Sequence, residues 1–169
     1  EGSDFLGAYL SGEIRTLGVY GLFDRGYLLS LGGMRQLGSG FSPYSDNLLT
    51  IEAGQLARVA FTEAPLVFFR AHTESVSYTS TDLSAYLTAQ EDLADRCSEV
   101  FPLPQDDAFK ILLLRWFIRD FVGLVLRCRG VTLEDFRVFL ALQVKCSRGV
   151  GLTRRTGLFL YLLRKTLAS

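Results

Sequence analysis

Apolar and polar positions follow two periods along this chain, and the change falls near residue 82. Before it the pattern is mixed. Residues 3–11 put Phe5, Leu6, Tyr9 and Leu10 on one side, which predicts a short helix begun by Ser3 and ended by Gly12. Residues 14–23 alternate and are rich in aromatics, the pattern of a strand. Asp24-Arg25-Gly26 then turns the chain into one or two helical turns over 27–31, stopped by Gly32-Gly33. A glycine-bearing loop runs on to Tyr44, and Asp46 introduces a helical pattern over 47–56 with Leu48, Leu49, Ile51 and Leu56 on one face. Two short apolar runs, 58–61 and 66–69, read as strands, with Pro65 placed where its missing N–H does no harm. Residues 75–81 read as loop.

From Asp82 the period is helical. Leu83, Tyr86, Leu87, Leu93 and Ala94 form an inward seam that ends before Pro102 and Pro104. Asp106-Asp107 opens a long helix over 108–129, with Gly130 as its stop. It is apolar on nearly every side, which predicts a central or interfacial place. Thr132-Leu-Glu-Asp135 has the spacing of a capping box and starts a helix to about Lys145. A last helix is expected over 156–167. The natural division lies near residue 102, giving units 1–101 and 102–169.

Composition adds two things. The 169 residues carry 18 Lys+Arg and 18 Asp+Glu, yet nine of the cations and only Glu134 and Asp135 among the acids fall between Arg127 and Ser169. A basic C-terminal stretch suits an anionic membrane surface, a polyanionic acceptor or, more blandly, a solvated helix face. No nucleic-acid-reading motif accompanies it. The three cysteines, Cys97, Cys128 and Cys146, are widely spaced and odd in number, which predicts reduced thiols packed in a core. Arg115, Arg119 and Arg127 interrupt the longest apolar runs, so none reaches the ~20 residues of a membrane span. These features lead us to expect a cytoplasmic protein, peripheral at most to the inner face of a membrane. Mean hydropathy is +0.23 and the first residue is Glu rather than Met, which together fit a piece of a longer chain.

Candidate chemistry clusters in the first half. Asp46 sits where a helix N-cap sits. Arg70 and His72, the lone histidine, are two residues apart, so an extended backbone aims both at one face. Imidazole there suits a metal or a phosphate, guanidinium suits a phosphate, and a structural histidine is the plain alternative. Glu134-Asp135 also places acids at a helix start, and both they and Asp82 read as capping.

Arg25, Leu28, Gly32 and Gly33, then Ser45-Asp46, then Pro65, Leu66, Arg70, His72, Ser75 and Ser77 occur in an order and spacing that resembles the C-terminal half of a family 2 glycosyltransferase. These are inverting enzymes of GT-A fold that use nucleotide-sugar donors. The resemblance covers roughly residues 5–100. It implies an α/β fold, a partial GT-A half followed by an α-helical extension. It implies Asp46 as general base, Arg70, Ser75 and Ser77 at the donor diphosphate, and His72 at a divalent metal, Mn or Mg. A glycan, lipid-linked or protein acceptor would be the partner. Two departures stand out. Ser45 takes the place of an acid commonly found beside the base, and no Asp-x-Asp occurs anywhere in the chain. The nucleotide half is therefore expected upstream, in a missing N-terminal part. The rival expectation is a non-enzymatic helical interaction or membrane-docking module.

Overall fold

The structure is a computed structural model. It describes residues 2–14, 22–34, 37, 43–55, 59–60, 82–100, 107–128, 130–148, 150, 157, 160–161 and 164. Six α-helices are present among them: α1 (Gly2–Ser11), α2 (Arg25–Ser30), α3 (Ser45–Glu52, continued by a 3₁₀ turn, Ala53–Gln55), α4 (Leu83–Val100), α5 (Asp107–Arg127) and α6 (Leu133–Cys146).

The expected α/β fold with a GT-A sheet is corrected: the described residues are helical, and no strand occurs among them. The physical reason lies in the core. Every described buried seam has helical spacing and packs helix on helix, so no apolar sheet face is called for. The run 14–23 is described only at Ile14, a bend, and at Leu22 and Phe23, which are irregular. Of 58–61, Val59 and Ala60 are irregular. Residues 66–69 lie outside the described residues, as do Arg70, His72, Ser75 and Ser77.

Local sequence explains the helix ends. Gly12 at φ 84° turns α1 off, and the N–H groups of Gly12 and Glu13 both reach the Ala8 carbonyl. Asp24 caps α2 through Tyr27 N at 2.8 Å. At the other end Gly32 and Gly33 donate to the Leu29 and Leu28 carbonyls. Asp82 Oδ1 accepts from Ser84 N at 3.0 Å and Ala85 N at 3.3 Å, which opens α4 as the pattern predicts. Thr132 and Asp135 form the expected capping box at α6, with Asp135 Oδ2 2.7 Å from Thr132 N. Of the acidic pair at α6, Asp135 is used for capping, while Glu134 lies 3.5 Å from Arg137 Nη1.

Helix α5 is the axle. Leu113, Leu114, Trp116, Phe117, Ile118, Phe121 and Leu124 are all buried, and α1, α4 and α6 pack around them. Phe121 stacks on Phe139 of α6 with ring centroids 3.9 Å apart and planes 5° apart. The predicted seam of α4 (Leu83, Tyr86, Leu87, Leu93, Ala94) is buried. One apolar cluster runs from Leu6 to Leu142 and draws on α1, α3, α4, α5 and α6. Helix α1 closes tightly on the 3₁₀ turn, where a Cβ on Gly54 would lie 2.7 Å from Leu6 Cδ2. Cys97 and Cys128 are buried and Cys146 partly so, all three as free thiols, as expected. Gly157, Leu160, Tyr161 and Arg164 are helical, while the remainder of 156–167 lies outside the described residues.

Candidate functional site

The N-terminus of α3 meets a buried polar cluster that joins it to α4 and α5. Tyr44, not Asp46, is the N-cap residue, and its side chain makes no cap bond. The tyrosine ring is instead buried between Tyr86 and Trp116, edge-on to both. Its hydroxyl donates to Asp120 Oδ2 on α5. Gln90 of α4, fully buried, donates through Nε2 to the same carboxylate oxygen at 2.9 Å and to the Tyr44 hydroxyl at 3.1 Å. Its Oε1 is buried with no hydrogen-bond partner among the described residues.

Asp46 lies in the first turn of α3, half-buried. Its Oδ1 accepts from Asn47 N at 2.9 Å. Asp46 is therefore not the N-cap residue of this helix, the place that was the alternative to its expected role as general base. The helix begins at Ser45, two residues too early for Asp46 to flank it. Asn47 reaches the other way: Nδ2 donates to the Tyr9 hydroxyl of α1 at 2.6 Å. Ser45 Oγ is buried with no hydrogen-bond partner among the described residues. A half-buried carboxylate thus stands beside the Ser45 hydroxyl, and the side chains of Tyr44 and Asn47 are anchored to other helices.

The electrostatics follow from burial. Burial pushes the Tyr9 phenol up to about 12, against the pull of the Asn47 amide, and the Asp46 and Asp120 carboxylates raise it further. The Asp120 carboxyl is raised above the usual carboxylate range by burial, opposed by the hydrogen bonds from Tyr44 and Gln90 and by the charges of Arg127 and Arg119. Tyr44 is pushed well up by burial, then by the neighbouring Asp120. Arg119 closes the cluster toward α1, donating to the Leu10 carbonyl at 2.8 Å and to the Ser11 carbonyl.

Of the residues singled out in the sequence, the structure places Asp46 in this cluster; Arg70, His72, Ser75 and Ser77 fall outside the described residues. Sequence reasoning missed Tyr44, Gln90 and Asp120. A signal was there: Gln90 falls on the apolar seam of α4 and Asp120 beside that of α5, and a polar residue on such a seam asks for a partner. Among the described residues no three metal-ligating side chains converge, so the expected divalent metal has no donor set there. The cavity between Cys97, Lys110 and Cys146 measures about 30 Å³, the room of a single water. Part of the expected basic surface is already neutralised, since Lys145 binds Glu91 at 2.9 Å and Asp95 at 3.0 Å.

No family is matched. The chain fits no protein-family model, and neither a curated protein nor a solved structure matches it. A functional reading rests on the residues themselves. Among the described residues no helix is long and apolar enough to cross a membrane.

Proposed function

We propose that this chain supplies the acceptor side of an inverting glycosyl transfer from a nucleotide-sugar donor, with Asp46 as the general base. The observation that carries the reading is the state of Asp46. Its carboxylate stands half-buried in the first turn of α3, and Oδ2 carries no hydrogen bond among the described residues. Asp46 is not the N-cap residue, although its Oδ1 takes up the first-turn N–H of Asn47. The second support is the order of Gly32-Gly33, Ser45-Asp46 and Pro65 to Ser77 along the chain. The proposal does not call on a GT-A sheet.

In this reading Asp46 removes the proton of an acceptor hydroxyl as that oxygen attacks the anomeric carbon and the nucleoside diphosphate departs. Ser45 Oγ offers a hydrogen bond beside it. Arg70, Ser75 and Ser77 would meet the diphosphate and His72 the divalent metal that accompanies it; no step is derived through that metal. Replacing Asp46→Asn tests the idea. Nucleoside diphosphate release in the presence of acceptor should collapse while the helical circular dichroism and melting temperature stay put. Transfer at the unaltered rate would refute the base.

One observation favours a second reading, a helical interaction module. Leu133, Leu140 and Val144 form an outward stripe on α6 and are 82%, 44% and 63% exposed. Under that reading Leu140→Glu abolishes partner capture and Asp46→Asn changes nothing.

A further inference from the structure

We infer that Tyr44, Gln90 and Asp120 are positioning residues for Asp46, an assignment that rests on the base role proposed above. Asp46 is two residues from Tyr44 and adjacent to Asn47. Tyr44 is tied to α5 through Asp120 and to α4 through Gln90. Asn47 is tied to α1 through Tyr9. The first turn of α3 is therefore held from three helices at once, and the carboxylate between the two anchors accepts from the Asn47 N–H. An aspartate side chain has two rotatable bonds, so fixing its backbone on both sides and binding one oxygen leaves Oδ2 a single approach direction.

The composition of this cluster argues that it serves orientation. Tyr44 and Gln90 are buried, Trp116 and Tyr86 surround the phenol, and an apolar trio of the same shape would fill the space without an orphaned atom. Instead Gln90 Oε1 goes unpaired and Asp120 is held where its charge is disfavoured. Buried polar groups of this kind cost stability and return a unique geometry. What that geometry sets is the register of the α3 N-terminus against α5.

The test compares variants in the full chain, with nucleoside diphosphate release in the presence of acceptor as the assay. Tyr44→Phe removes the hydroxyl and keeps the ring, and kcat should fall by ~10²-fold with the acceptor KM within about twofold, the effect of a reacting group displaced by about 1 Å. Asp120→Asn is the conservative partner. Its carbonyl still accepts from Tyr44, and its amide is able to donate to Gln90 Oε1, so kcat should be retained. Asp120→Leu should behave as Tyr44→Phe. Thr132→Ala, at the far capping box, controls for lost stability alone and should leave kcat unchanged. If Asp46→Asn abolishes transfer while Tyr44→Phe and Asp120→Leu keep the parent kcat, the positioning role falls and the base stands. If Asp46→Asn itself transfers normally, both fall. Should Asp120→Leu fail to fold, the contrast between Tyr44→Phe and Asp120→Asn still decides: equal losses in both overturn the assignment.

Discussion

Phe139→Ala is the sharpest test of the helical core. Phe139 is fully buried, lies flat on Phe121 with centroids 3.9 Å apart, and is one of two residues of α6 that are fully inside, the other being Leu142. Phe136 adds an edge-on contact to Phe121 at 5.3 Å. Truncating a buried Phe costs about 3–5 kcal/mol, the sum of lost transfer energy and the cavity left behind. Of this, ~0.5–1.5 kcal/mol belongs to the stacked pair. Against a total stability of about 5–15 kcal/mol that is a large fraction. Urea unfolding followed by circular dichroism at 222 nm should show a lower midpoint at unchanged slope. Phe139→Leu keeps the apolar character and part of the volume and should lose less than Phe139→Ala, about 1–2 kcal/mol. Val138→Ala is the register control. Val138 is 43% exposed on the neighbouring face, so its truncation should cost under ~0.5 kcal/mol. Equal losses at 138 and 139, or a loss below ~1 kcal/mol for Phe139→Ala, would refute the packing of α6 on α5.

Three further outcomes are expected. Gly12→Ala forces an L side chain into φ 84° and sets a Cβ 2.6 Å from Arg119 Nη1; differential scanning calorimetry should report a loss of about 1–2 kcal/mol. Thr132→Ala removes half of the α6 capping box and should cost ~1 kcal/mol in the same measurement. The carboxyl of Asp120 is raised in the folded protein, so between its unfolded value near ~3.9 and its folded value the native state holds the extra proton. Stability must then fall as pH rises through that window. Urea midpoints from pH 3 to 8 should show the parent losing ground to Asp120→Asn as pH increases, and parallel profiles would contradict the burial of this group beside Tyr44, Gln90, Arg119 and Arg127.

What the sequence made legible was local. The ends of α1, α2, α4 and α6 follow from Gly12, Gly32-Gly33, Asp82 and the Thr132–Asp135 box, each acting within a few residues. Helix α5 instead stops at Arg127, before the expected 129 and three residues ahead of Gly130. The inward seam of α4 was equally readable, because helical spacing reports burial directly. The expected sheet was inferred from short apolar runs, and a run of four to eight such residues does not distinguish a strand from a buried helical turn. Asp46 was expected as a general base, with capping the alternative because acids favour that place; the residue that stands at the cap, Tyr44, is held by a partner 76 residues away. Pairings over such distances leave little trace in local pattern. Gln90 and Asp120 were visible as polar intrusions, but not which hydroxyl they would meet.

Arg119 carries a consequence for how the chain is made. Its guanidinium holds the Leu10 and Ser11 carbonyls across more than a hundred residues of sequence. During synthesis α1 leaves the ribosome long before its clasp exists, and its last peptide oxygens stay with water until α5 arrives. Such distant closure slows folding relative to a bundle zipped neighbour by neighbour. Seating the first helix fully is thus a long-range step, completed only once residues 107–127 are in place.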